Sequence, residues 1–247
     1  MKLKAITLIV IAASVASSQA ATLLQNSGYT VATTELHYDF NNTNKNVREA
    51  LTADASGNGR VMTNGNDAGN KWGGTGEIIV SDNAYSYGLT NSAGMEADNY
   101  QTTIHLAPEP NWPSAHGKMV IYDYDGVQLS YDTTAYTATV NGNTVGTFTA
   151  GAAGVMLQKM NGAFSLWSTT YSVDGTAGTW TQQGTEVTSA TSGDDFSGLH
   201  LFVAPGGADE YWGYVGDVKI QSLAVPEPGA ALLGGLGMLT LLRRRRA

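Results

Sequence analysis

The chain predicts an all-β fold, an antiparallel two-sheet jelly-roll sandwich in one domain. Three observations carry that expectation. Apolar residues alternate along short runs instead of recurring at helical spacing, which is the signature of half-buried strands. Clusters of Gly, Asn and Asp interrupt those runs at close intervals, supplying tight turns. The 247 residues include no cysteine, so core burial, alone or with a bound ion, must hold the body, and its length is enough for a sizeable core.

Taken in order, the first 20 residues are not part of the fold. Lys2 and Lys4 precede an apolar stretch over 5–16, and Ser18-Gln19-Ala20 presents small residues to a signal peptidase. That three-part pattern is a secretory signal peptide cleaved after Ala20. In 35–40, Leu36, Tyr38 and Phe40 fall on one face of a strand. Residues 46–53 are the one candidate helix, a turn or two long. Residues 118–124, 126–132, 164–173, 199–203 and 217–225 read as strands by the same alternation. The clearest hairpin joins 134–140 to 144–148 through Asn141-Gly142, and the sequence DYDG at 123–126 makes a second. Polar glycine-rich loops fall at 56–59, 64–70, 174–178 and 204–210. In all, about twelve short strands in one domain over 21–224 point to a sandwich or jelly roll. No internal repeat is evident.

Charge narrows the partners. The formal net charge is −8, but all 21 acidic residues and only 7 basic ones lie in 21–227, so the exported body carries 7 − 21 = −14. Nucleic acid and anionic lipid both need a basic footprint, so the charge argues against them as partners. A neutral ligand, a cationic one or a divalent metal suits this surface; so does a purely solubilising role. Without cysteine, thiol catalysis, zinc–thiolate sites and iron–sulfur chemistry are excluded outright.

The tail has its own logic. Residues 229–242 form an apolar run of 14 residues ending in Arg243, Arg244, Arg245 and Arg246. As a helix it reaches about 21 Å, short of the roughly 30 Å of a bilayer core. Val225 to Pro228 is a linker, kept extended by its prolines. Valine-Pro226-Glu227-Pro228, a short Gly/Ala/Leu-rich run and a closing Arg cluster together resemble the PEP-CTERM sorting signal over 225–247. The resemblance implies recognition by an exosortase-type membrane transpeptidase in a Gram-negative-type bacterium, with cleavage near 226–228. It implies delivery of the body to the cell surface or extracellular matrix, and links such proteins to exopolysaccharide and biofilm production.

The body resembles a second family more loosely. An aromatic strand at 37–42 precedes DASGNGR at 54–60, a strand–Asn-Gly–strand hairpin spans 136–148, and 215–220 reads as a last strand. In this order they are similar to laminin-G-like domains of the concanavalin A-like lectin/glucanase superfamily. The resemblance implies a two-sheet jelly roll that commonly binds carbohydrate or protein, often with a structural calcium, and whose last strand pairs near its first. Asp54 matches the family's turn aspartate and Asp217 lies on the terminal strand. With Asn58 they are the candidate calcium ligands, joined as secondary candidates by Asp39 and Asp67, since calcium takes carboxylate and loop oxygens. The competing reading is that these side chains stabilise turns by their own hydrogen bonds.

For sugar binding, aromatic faces stack on pyranose C–H groups while polar neighbours fix the hydroxyls. The loop over 206–214 gathers Asp209, Glu210, Tyr211, Trp212 and Tyr214, and Trp72 and Trp112 also fall in loops, where a rigid sandwich displays function. Trp167 alternates with Phe164 and Leu166 and reads as packing. Catalysis finds little support. Glycosidases need two carboxylates about 5–10 Å apart, and the Glu-x-Asp-x-Glu type of run used by the superfamily's glucanases is absent. TIH at 103–105 only echoes the polysaccharide lyase motif, and His37, His105, His116 and His200 lack metal-binding spacing. The expectation is therefore an exported, non-catalytic surface or matrix protein binding extracellular polysaccharide. Its partners are signal peptidase, an exosortase and the membrane through a transient C-terminal helix. A structural or adhesive protein without a sugar pocket is the alternative, with a glycoside hydrolase or lyase behind both.

Overall fold

The computed structural model describes residues 29–39, 54–64, 78–80, 87–95, 98–108, 119–132, 134–149, 153–170, 178–190, 192–193, 196–203 and 213–224. Its strands are β1 (Thr30–Asp39), β2 (Met62–Asn64), β3 (Ile78–Val80), β4 (Tyr87–Leu89), β5 (Tyr100–Pro108), β6 (Met119–Tyr124) and β7 (Val127–Tyr131). They continue with β8 (Ala135–Val140), β9 (Asn143–Thr149), β10 (Ala153–Met160), β11 (Ala163–Thr169), β12 (Thr181–Thr188), β13 (His200–Val203) and β14 (Gly213–Ala224). Among the described residues a 3-10 turn, Phe196–Gly198, interrupts them. The candidate helix at 46–53 lies outside the described residues.

The strands form two antiparallel sheets of seven. The first runs β1-β14-β5-β10-β11-β12, with β3 also on β14; the second runs β2-β4-β13-β6-β7-β8-β9. The body is thus an antiparallel two-sheet jelly-roll sandwich, as the alternation predicts. The last strand pairs with the first over Thr30↔Ala224 to Asp39↔Asp217. Alternation is literal in β7 and β8, where Val127, Leu129, Tyr131, Tyr136, Ala138 and Val140 are buried and their neighbours are not. From the first sheet, Leu36, Tyr38, Ile104, Leu106, Val155, Leu157, Phe164, Leu166, Val218 and Ile220 meet them in one core. Each such fully buried side chain contributes about 1.5–3 kcal/mol.

Three hairpin tips have the same geometry. Asp125-Gly126, Asn141-Gly142 and Asn161-Gly162 have φ of +41°/+75°, +49°/+77° and +52°/+76°. Two consecutive positive φ values are the requirement of a type I′ turn, whose twist matches the flanking strands. The tips gather at one end of the sandwich. The Asn141 N–H donates to the Gly126 carbonyl at 2.8 Å, the Ser189 N–H to that of Gly162 at 2.9 Å, and the Gly193 N–H to that of Asp125 at 3.3 Å.

The two long edges of the sandwich close differently. At one, β9 and β12 meet backbone to backbone. A Cβ on Gly146 would lie 2.1 Å from the Gln183 carbonyl oxygen, and one on Gly184 would lie 2.3 Å from that of Val145. At the other, the 54–60 turn bridges β1 of the first sheet to β2 of the second. There the Ala55 N–H donates to the His37 carbonyl at 2.7 Å and the Tyr38 hydroxyl to the Arg60 carbonyl at 3.1 Å.

Candidate ligand-binding end of the sandwich

Register decides which loops share an end. Pro108, the last residue of β5, pairs with Gly213, the first of β14. In the second sheet, Val203 of β13 pairs with Val120 near the start of β6. The chain therefore crosses between the sheets twice at this end, once from Pro108 to Met119 and once from Val203 to Gly213. Val80 of β3 also pairs with Gly213. The three type I′ tips lie at the opposite end, which the β4–β5 and β12–β13 connections share.

The outer face of the first sheet next to these crossings is polar and titratable. With its proton on Nε2, His37 donates to Asp217 Oδ1 at 2.7 Å, the two side chains being about a quarter exposed. Lys219 Nζ stands 3.5 Å from Asp217 Oδ2. His105 is directly across from Asp217 in the β5–β14 ladder. Burial lowers the His105 pKa, and the Asp217 carboxylate opposes that only in part. Further along this face, amides line up across four strands. Gln158 Nε2 donates to Gln101 Oε1 at 3.1 Å, Gln101 Nε2 to Gln221 Oε1 at 2.9 Å, and Gln221 Nε2 to Thr34 Oγ1 at 3.3 Å. Beyond the ladder, Met156, Trp167 and Trp180 pack as a second apolar cluster, and Trp167 Nε1 donates to Ser165 Oγ at 2.9 Å.

The candidate calcium residues are placed as follows. Asp54 Oδ1 accepts from the backbone N–H groups of His37 and Ser56, both at 2.9 Å; Oδ2 accepts from Ser56 Oγ at 2.7 Å and the Arg60 N–H at 3.0 Å. Burial works to raise its pKa, but these bonds outweigh it and hold the carboxyl below the usual carboxylate range. Asn58 Nδ2 donates to the Thr34 and Glu35 carbonyls at 2.9 and 3.1 Å. Asp217 is engaged by His37 and Lys219. A carboxylate offers about four lone-pair positions, so Asp54 has none left for an ion. Asp54 and Asn58 share one turn, but His37 stands between Asp54 and Asp217, with its backbone on one and its ring on the other. The trio does not fit a calcium ion. Among the described residues, no group of three or more His, Asp or Glu side chains could hold a metal.

Of the predicted ligand-binding residues, Asp209, Tyr211, Trp212, Trp72 and Trp112 lie outside the described residues. Tyr214 falls in β14, paired with Ala107 and Ile79. Ala20, Pro226, Glu227, Pro228 and Arg243 to Arg246 lie outside them too, as do Asp67 and His116. No helix among the described residues is long and apolar enough to cross a membrane. His200 is exposed, its Nδ1 2.9 Å from the Gly198 carbonyl. Sequence reasoning missed the roles of Arg60 and of the Gln101–Gln158–Gln221 ladder. Gln101 and Gln158 occupy alternate positions to apolar residues in their strands, which was the available signal.

Fold and geometry define a two-sheet antiparallel β-sandwich. Among solved structures, the chain is similar to the binding domain of botulinum neurotoxin DC in complex with SialylT, with a TM-score of 0.53 and 13% identity over 81% of this chain and 50% of that one. It is also similar to the VIP36 exoplasmic/lumenal domain in its Ca2+-bound form, with a TM-score of 0.51 and 9% identity over 78% and 93%. The botulinum neurotoxin serotype D binding domain follows at 0.50 and 14%, over 77% and 48%. The chain spans about half the length of the neurotoxin domains it matches. No protein-family model matches the chain. No curated protein sequence matches it either.

Proposed function

We propose that the body is a non-catalytic carbohydrate-binding module, exported and sorted to the cell surface or extracellular matrix, where it holds polysaccharide. The observation that carries the reading is the Pro108–Gly213 pairing. Pro108 precedes, and Gly213 follows, the two sequence segments that contain Trp112 and Asp209-Glu210-Tyr211-Trp212, which supports a shared binding end. Long connections on a rigid sandwich are where binding residues concentrate. The neighbours lend support: a binding domain held in complex with SialylT and a lumenal domain are both sandwiches of this kind. The laminin-G-like likeness of the 54–60 turn and the β8–β9 hairpin points the same way.

Sorting belongs to the same reading. The run 229–242 serves as a transient stop, Arg243 to Arg246 stay cytoplasmic under the positive-inside bias, and 226–228 meets an exosortase outside. Mass spectrometry of the surface protein tests this: a mature chain ending near 226–228 is expected, and one still ending in Ala247 would make the segment a permanent anchor.

A glycan array with the purified protein, run with and without EDTA, tests the binding. Retained polysaccharide with no turnover is the expected result, and Trp212→Ala loses it while keeping the fold. Absence of binding to any polysaccharide, including the producer's own, would leave a structural or adhesive role. Turnover would make the protein an enzyme. The EDTA arm reports whether a divalent ion takes part.

A further inference from the structure

We infer that Arg60 is the resident cation of this sandwich, clasping its β1 edge where the resemblance to laminin-G-like domains leads one to expect a divalent ion. This goes beyond the proposed glycan binding and does not depend on it. A structural calcium works by gathering oxygens from separate segments around one buried positive charge. Arg60 does that with its guanidinium. Its Nε donates to the Glu35 carbonyl at 3.3 Å, and its Nη1 donates to the Asn91 and Ala93 carbonyls at 2.9 and 2.8 Å. Its Nη2 stands 3.9 Å from Glu35 Oε2. Only 5% of the residue is exposed.

The oxygens belong to two sheets. Glu35 is on β1, at the edge of the first sheet. Asn91 and Ala93 follow β4 of the second. Arg60 thus ties the sheets together at the β1–β2 edge. Its own backbone is held on both sides, the N–H by Asp54 Oδ2 at 3.0 Å and the carbonyl by the buried Tyr38 hydroxyl at 3.1 Å. The carboxylate best matched to an ion, Asp54, is saturated by four protein donors, and the other, Asp217, is taken by His37. The planar fork of a guanidinium suits several fixed oxygens better than a lysine ammonium does. The sequence Asp54-Ala55-Ser56-Gly57-Asn58-Gly59-Arg60 therefore carries its cation covalently, and this edge closes without calcium.

The test is thermal unfolding of the full-length chain in calcium and in EDTA, for wild type, Asp54→Asn, Glu35→Gln, Arg60→Gln and Arg60→Lys. The wild-type Tm is expected to be the same in both, or to shift equally in wild type, Asp54→Asn and Glu35→Gln, as an ion bound elsewhere would cause. A calcium-dependent rise in wild type that vanishes in Asp54→Asn or Glu35→Gln would overturn the inference. Arg60→Gln removes the charge and is expected to melt several degrees lower, while Arg60→Lys, which restores the charge, loses less. An Arg60→Gln protein as stable as wild type, or an Arg60→Lys loss equal to that of Arg60→Gln, failure of both to fold included, would also overturn it.

Discussion

Asp54 shows how much one carboxylate can organise. It accepts hydrogen bonds from three backbone N–H groups and one hydroxyl, and each buried donor left unpaired costs about 1–3 kcal/mol. Asp54→Ala is therefore expected to lower the unfolding free energy by about 3 kcal/mol, read from urea denaturation. Its pH signature follows from the sign of its shift. A carboxyl with a depressed folded pKa contributes stability above its unfolded value, near 3.9, and loses it as pH falls through the lower folded value. His105 acts earlier. Its depressed pKa means that the unfolded chain takes the proton more readily, so stability falls as pH drops below about 6.5. Tm measured against pH should decline in these two steps, and His105→Asn should remove the upper one. Two tyrosines give a contrast at the same scale. Tyr38 donates to the Arg60 carbonyl, whereas the buried Tyr124 hydroxyl has no hydrogen-bond partner among the described residues. Tyr38→Phe should cost about 1 kcal/mol, and Tyr124→Phe should cost nothing or stabilise.

Among the elements, the hairpins and the strands β6, β7, β11, β13 and β14 were legible, whereas β10 and much of β5 were not. Asn141-Gly142 and Asp125-Gly126 announce their turns because few other residue pairs tolerate two positive φ values in succession. Asn161-Gly162 carries the same signal between β10 and β11 and was passed over, because the flanking 153–160 run does not alternate cleanly. In β10, Val155 and Leu157 enter the core while Met156 packs on the outer face with Trp167 and Trp180, so both faces read as apolar. In β5, Thr102 sits among the inward residues and blurs the pattern, although the strand is flanked by β14 and β10. Glycine substitutions separate local strain from close approach. Gly142 has φ +77° and open space around a Cβ, so Gly142→Ala should cost about 1 kcal/mol in chemical denaturation from the left-handed backbone alone. Gly184 has a similar φ, and its Cβ would meet the Val145 carbonyl at 2.3 Å. Gly184→Ala should therefore cost about 3 kcal/mol, since overpacking adds to the strain.

For the whole molecule, the sandwich has different locks on its two long edges: glycine backbones in contact at β9–β12, and the Asp54–Arg60 turn at β1–β2. Cutting either lock should lower a single transition without splitting it, and coincident tryptophan fluorescence and far-UV circular dichroism melts for Gly184→Ala and Arg60→Gln would check this. The sequence by itself determined the all-β class, the hairpins and the acidic, cysteine-free character of the body, because period-two alternation, Asn-Gly turns and charge are local properties. It also contained Asp54, Asn58, Asp217 and Arg60, but not their tasks. Only tertiary structure decided that Asp54 is consumed by its own turn, that His37 takes Asp217, and that Pro108 and Gly213 share an end. The last two outcomes depend on strand register between residues more than 100 positions apart, and a one-residue slip would turn every side chain to the other face.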